Sequence, residues 1–134
     1  QKNFKKKKLM NTMQIKTWIK NGFEVGSHTM NHYNLKNLSN DQKKYQILKQ
    51  KKFFKTNYGI NIESFSYPFG SYNAECLKII RKNYKFAVTT KRSRYVKGKF
   101  NQLEIPRVPV NYNTSIFKYL LKISTFYEDI KFKI

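Results

Sequence analysis

Two histidines, His28 and His32, stand four residues apart in the stretch Gly26-Ser27-His28-Thr29-Met30-Asn31-His32, and no other histidine occurs in the 134 residues. Residues i and i+4 lie one above the other on a helical turn, so on such a turn both imidazoles reach one ion. Neutral imidazole suits zinc and other borderline divalent metals. A bare His-x-x-x-His is ordinarily a pair of solvent-facing loop histidines. Position 29 is Thr, not Glu, so the zinc-protease helix motif His-Glu-x-x-His is absent. The pair must therefore be judged by the elements that position it.

Those elements alternate between helix and strand. Asn11-Thr12-Met13-Gln14 reads as a helix start, with Ile15, Trp18 and Ile19 as an apolar stripe ending at Asn21-Gly22. Phe23 to Val25 is expected as a short buried strand leading into the histidines. Ser39-Asn40-Asp41-Gln42 has the form of a capping box, opening a helix with Tyr45, Leu48, Lys52 and Phe53 on its stripe and Gly59 at its end. Glu63 to Tyr67 is the next strand, broken by Pro68. Asn73 caps a helix over Ala74 to Asn83 that carries Leu77, Ile79 and Ile80. Tyr84 to Thr90 reads as a strand, Lys91 to Lys99 as a basic loop, and Ile105 to Val110 as a further short strand. Thr114 or Ser115 caps a last helix through Phe117, Leu120 and Leu121. This order predicts an α/β domain with mainly parallel strands, open or barrel-like. Parallel α/β folds carry their chemistry in loops at the carboxyl ends of strands. Both His28-x-x-x-His32 and Pro68-Phe69-Gly70 fall at such positions, so they are expected to face one site.

The surrounding residues resemble a known family. Asn21 through His32, followed by Asn34-Leu35 and Leu38-Ser39, is similar to the second motif of the polysaccharide deacetylases, the NodB-homology domain of carbohydrate esterase family 4. Phe65-Ser66-Tyr67-Pro68-Phe69-Gly70-Ser71-Tyr72-Asn73 resembles that family's third motif in its Tyr-Pro-Phe/Tyr-Gly form. Tyr84 to Thr90 and Ile105-Pro106-Arg107-Val108-Pro109-Val110 match further elements, so the resemblance covers roughly residues 12 to 110. It implies a partial, irregular (β/α) barrel of the glycoside hydrolase/deacetylase type. It also implies metal-dependent hydrolysis of N-acetyl groups on an amino-sugar polysaccharide, with a divalent ion, Zn2+ first, held by His28 and His32. In that scheme the backbone N–H of Phe69 helps hold the oxyanion, and Pro68, Gly70, Tyr72 and Arg107 border the substrate. Tyr67 fits a structural role better than a sugar-stacking one, and a structural salt bridge suits Arg107 as well as substrate does.

Two parts of the family pattern have no counterpart. The first motif, Thr-Phe-Asp-Asp-Gly, supplies the general base and a metal-ligating aspartate. Asp41 opens a helix after the histidines and Asp129 lies beyond the resemblance, so neither takes its place. The late Leu-x-His motif is absent too, for want of a third histidine. In family order the first motif precedes Gln1, which implies that the chain is the C-terminal two-thirds of a deacetylase domain, a truncated product or a fragment. The expected division is a basic extension over 1–11, the deacetylase portion over 12–112, and a C-terminal helix with a basic tail over 113–134. Deacetylases of envelope polymers work outside the cytoplasm, so the resemblance places the protein there. Gln1 to Lys8 nevertheless has no apolar core of a secretory signal.

Composition sets the alternatives. Lys and Arg number 28 against 7 Asp and Glu, a formal charge of +21, which ordinarily points to a polyanion partner. Lys, Asn, Ile, Tyr and Phe all have A/T-rich codons, however, so genome bias is an alternative source of that excess and the charge alone does not require a polyanion partner. Lys91-Arg92-Ser93-Arg94-Tyr95 is the segment best suited to phosphate contacts, but no nucleic-acid motif accompanies it. The competing readings are therefore a basic nucleic-acid or polyanion-binding domain and a non-catalytic remnant of the deacetylase fold. No apolar run approaches the roughly 20 residues of a membrane helix. One cysteine, Cys76, excludes an internal disulfide and reads as a small core residue.

Overall fold

The computed structural model describes residues 9–96, 98–124 and 127–131. Most of the expected basic extension, and the tail at 132–134, lie outside the described residues. Helix α1 spans Thr12–Lys20, α2 Asn40–Tyr58, α3 Ala74–Asn83, α4 Ile116–Ser124 and α5 Tyr127–Lys131; strands β1 and β2 span Ser64–Ser66 and Phe86–Val88. None of these helices is long and apolar enough to cross a membrane.

The helix starts follow from side chains that accept the first free backbone N–H groups. Asn11 with Gln14, and Ser39 with Gln42, form reciprocal capping boxes. Asn73 accepts from the Cys76 N–H at 3.1 Å, and the Ser115 hydroxyl accepts from the Lys118 N–H at 3.3 Å. Helix α2 stops at Gly59, whose φ of 70° is left-handed, the backbone state glycine reaches without a Cβ clash.

β1 and β2 pair in parallel, with Ser64 opposite Phe86, Phe65 opposite Ala87 and Ser66 opposite Val88. Single parallel bridges extend this pair on both sides, Ser27 to Phe65 and Val88 to Ile105. Four chain segments thus run side by side, joined by α2 and α3 in the manner of βα units. The parallel α/β character expected from the sequence is present. The described residues form no closed barrel.

Alternate residues of a strand face opposite ways. Phe65 and Ala87 point into a core with Leu35, Ile47, Ile62, Tyr67, Cys76, Ile80, Tyr84 and Leu103. Two buried tyrosines satisfy their hydroxyls inside it: Tyr67 donates to the Leu103 carbonyl at 3.0 Å and Tyr84 to the Ile47 carbonyl at 2.6 Å. Burial pushes the Tyr67 hydroxyl well above the usual tyrosine range. Cys76 is a buried free thiol in the same core.

Three expectations need correction. Phe23 to Val25 is not a strand; the chain leaves α1 through Gly22 (φ 78°), and Phe23, 54% exposed, packs its ring on Trp18 with centroids 4.4 Å apart. Ladder pairing begins only at Ser27. Ile105 to Val110 contributes one bridge rather than a strand. On α2, Tyr45 and Phe53 are about half exposed, whereas Lys43, Gln46 and Ile47 are buried. That helix meets the histidine loop as well as the core, and the loop needs polar partners.

Candidate metal centre

The histidine loop starts where Ser27 docks on β1. The Ser27 N–H donates to the Ser64 carbonyl at 2.9 Å, and the Ser66 N–H donates to the Ser27 carbonyl at 2.8 Å. From there two glutamines of α2, one helical turn apart, hold the loop. Gln50 Oε1 accepts from the Ser27 hydroxyl and from the His28 N–H, both at 2.9 Å. Gln46 clamps Asn31 from two sides: its Oε1 accepts the Asn31 N–H, and its Nε2 donates to Asn31 Oδ1, both at 2.9 Å. The Thr29 hydroxyl accepts the His32 N–H at 3.0 Å.

The imidazoles do converge, but on this loop and not on a helical turn. Their centroids are 4.7 Å apart, with ring planes at 69°. Thr29 (φ 64°) and His32 (φ 56°) take left-handed backbone angles, which fold the loop back on itself. The remaining non-glycine residue with positive φ among the described residues is Phe69 (φ 58°), and its ring lies 4.7 Å from that of His32. Each such residue costs on the order of 1 kcal/mol, and strain of this kind clusters at functional sites.

His28 is oriented as a metal ligand would be. Its Nδ1 lies 2.8 Å from the Ser66 carbonyl. A carbonyl only accepts, so Nδ1 carries the proton, and in the neutral ring Nε2 presents its lone pair. Ligating histidines are typically fixed through the other nitrogen in this way. The donor set therefore fits part of a divalent site. Catalytic zinc usually has three protein ligands plus an open position, and among the described residues no third His, Cys, Asp or Glu joins the pair.

The Pro68-Phe69-Gly70 turn forms the adjoining wall. It follows β1 as a tight turn in which the Gly70 N–H donates to Tyr67 and the Ser71 N–H to Pro68, both at 3.0 Å. The Thr90 hydroxyl donates to the Phe69 carbonyl at 3.3 Å. Gly70 has φ 65°, and a Cβ there would come within 2.0 Å of Thr90 Oγ1, so only glycine fits. Phe69 is 63% exposed, and its N–H donates no hydrogen bond among the described residues. The residue thus sits exposed, with its ring against that of His32.

Arg107 lies on the far side of Thr90. Its N–H donates to the Lys91 carbonyl at 2.8 Å and its Nε to the Thr89 carbonyl at 2.6 Å. Tyr72 is turned elsewhere: its ring stacks on Tyr67 at 4.4 Å and its hydroxyl donates to Glu104 at 2.6 Å. Burial first, and then Glu104, push that hydroxyl up to about 12. Gln46 and Gln50 went unnoticed in the sequence, where two glutamines at i and i+4 look like any polar helix face. Their signal was position, on the helix that follows a loop rich in unpaired N–H groups.

Comparison with known proteins agrees with this layout. The family model for polysaccharide deacetylase matches residues 3–87. YxkH of Bacillus subtilis (strain 168), a curated relative that bears the same family name, is 35% identical over 78 residues, 58% of this chain and 28% of its own length. Among solved structures, the Streptococcus pyogenes deacetylase PplD in complex with acetate superposes with a TM-score of 0.79 at 26% identity, over 86% of this chain and 51% of that one. A polysaccharide deacetylase from Bacillus cereus gives the same score and identity, over 91% of this chain and 39% of that one. A mutant of BA3943, described as a CE4 family pseudoenzyme with restored enzymatic activity, matches at TM-score 0.53 and 25% identity, over 59% of this chain and 29% of that one. The parallel α/β layout is that of these deacetylase structures. The chain belongs to the polysaccharide deacetylase family, and spans about a quarter to a half of the length of these relatives.

Proposed function

We propose that the chain forms part of a metal-dependent hydrolase that removes N-acetyl groups from an amino-sugar polysaccharide, with His28 and His32 as two ligands of a divalent ion, zinc first. The observation that carries this reading is the run of ring contacts from His28 to His32 and from His32 to Phe69, which sets the proline-aromatic-glycine turn against the imidazole pair. The chemistry such an ion supplies when bound is Lewis acidity toward water and the amide carbonyl. The Ser66 carbonyl holds the His28 proton on Nδ1 and so keeps Nε2 available. In this reading the Phe69 N–H donates to the carbonyl oxygen as negative charge develops there, a contribution worth about 3 kcal/mol of barrier per donor. Gly70 and Pro68 shape the floor, Arg107 borders it, and Tyr72 acts through packing on Tyr67 rather than through sugar contact. An envelope polymer as substrate puts the site of action outside the cytoplasm.

A second reading is favoured by one observation: no carboxylate stands with the imidazoles among the described residues. A chain with metal ligands and no general base binds without turnover. The test follows the amide signals of His28, His32 and Phe69 by NMR while chitotetraose, and separately acetate, are added with and without zinc. Zinc-dependent shifts at all three support the site. Glycan binding that leaves them unmoved refutes it, and acetate release from chitotetraose distinguishes enzyme from remnant.

A further inference from the structure

Beyond the turn, the Thr90 side chain separates the imidazole site from a cavity of about 410 Å³ lined by Thr90, Arg92, Arg107, Val108 and Pro109. We propose that this cavity is a subsite for an anionic substituent, a carboxylate or phosphate, on the sugar next to the one being deacetylated, with Arg107 as its principal contact. The inference rests on the deacetylase reading and narrows its substrate class to acidic glycans.

Four observations carry it. First, the chain makes its positive charge almost entirely from lysine. Only four of its 28 basic residues are arginine (Arg81, Arg92, Arg94 and Arg107), and two of these four line the same cavity. A guanidinium offers the planar fork that matches carboxylate and phosphate oxygens.

Second, Arg107 is held in place. Its Nε donates to the Thr89 carbonyl at 2.6 Å and its backbone N–H to Lys91, which leaves the two Nη groups as donors on a fixed plane. Third, none of the ion pairs among the described residues involves Arg107. Among the described residues the ion pairs are Lys44 with Asp41 and Lys85 with Glu63. Glu104, on the same segment, has its oxygens engaged by Tyr72 and Asn101. Fourth, the cavity joins the reaction site through one residue: Thr90 lines it, donates to the Phe69 carbonyl and fills the space a Gly70 side chain would need. Val108 and Pro109 give an apolar surface of the kind a sugar ring's C–H face packs on.

The experiment uses three monosaccharides on the same ring: neutral N-acetylglucosamine, N-acetylmuramic acid with its carboxylate, and N-acetylglucosamine 6-phosphate. Dissociation constants are read from the amide shifts of Thr90 and Val108 at low ionic strength. At least one acidic sugar is expected to bind about tenfold more tightly than the neutral one, with that advantage shrinking as salt is raised. Preference for the carboxylate or for the phosphate identifies which substituent the site takes.

Arg107→Gln should bring the acidic-over-neutral ratio close to one and Arg107→Lys should restore part of it. Arg92→Gln should lower the ratio as well, a second route if Arg107→Gln does not fold. Equal affinities for acidic and neutral sugars, or a preference that survives Arg107→Gln, overturns the inference. So does inorganic phosphate binding as tightly as the sugar phosphate, since that marks a general anion site. If chitotetraose fails to move the Phe69 amide in the presence of zinc, the deacetylase reading itself falls. If it moves that amide while acidic sugars gain nothing, only the subsite falls.

Discussion

Replacing Gln50 with alanine removes one oxygen that two groups of the histidine loop share. Gln50 Oε1 accepts from the Ser27 hydroxyl and the His28 N–H, both at 2.9 Å. Ser27 is 1% exposed, so water cannot replace its lost partner, and an unmade buried donor costs about 1–3 kcal/mol. The Tyr84 hydroxyl, whose pKa burial raises and Ser27 lowers, gives Ser27 a second acceptor nearby, which favours the lower half of that range. The His28 N–H is exposed and rehydrates at a cost of about 0.5 kcal/mol. The sum is about 2 kcal/mol, out of a total of about 5–15 kcal/mol for a domain of this size. Thermal unfolding followed by circular dichroism should show a midpoint about 8 °C lower. Gln50→Glu keeps the accepting oxygen and makes its bonds charge-assisted, so it should recover most of the loss. A Gln50→Ala midpoint within about 1 °C of the parent, or Gln50→Glu falling as far as Gln50→Ala, refutes this account of how the loop is held.

Two more perturbations probe the neighbouring elements. Gly70→Ala places a Cβ against the Thr90 hydroxyl and backbone N–H at positive φ, whereas the same change at Gly59 meets nothing within 4 Å. Urea unfolding should therefore show a loss of about 1 kcal/mol for Gly59→Ala and a clearly larger loss for Gly70→Ala; equal losses would mean the turn does not lean on Thr90. Tyr72 is held protonated to about pH 12 against 10 in the unfolded chain. A raised folded pKa means the native state binds more protons, so its contribution is complete below pH 10 and fades as pH rises toward 12. Tyr72→Phe should flatten the fall in stability between those values, and an unchanged slope would contradict the burial of that hydroxyl and its contact with Glu104.

How much of this was legible depended on the range of each interaction. Asn11, Ser39 and Asn73 cap their helices as expected, because a cap bond spans three residues and its chemistry is contained in the local sequence. Gly59 ends α2 for the same reason. Phe23 to Val25 was misread as a strand because three apolar residues suit several structures, and the Trp18 ring, packed against Phe23, decided the outcome. The burial of Gln46 in place of Tyr45 was hidden because it answers hydrogen-bonding needs of a loop fifteen residues earlier. The convergence of His28, His32 and Phe69 was foreseeable from strand order. The positive φ angles at Thr29, His32 and Phe69 were not, since a threonine and a phenylalanine disfavour them and the weak tolerance of histidine marks no particular position.

The central claim is that both imidazoles belong to one ion. Its most direct test is a zinc titration of the chain followed through the ring nitrogen signals of His28 and His32 by NMR. The account predicts that one nitrogen of each ring shifts along a single saturation curve, with one equivalent of zinc, while His28 Nδ1 stays protonated against Ser66. Separate curves for the two rings, or a shift at one alone, would contradict it.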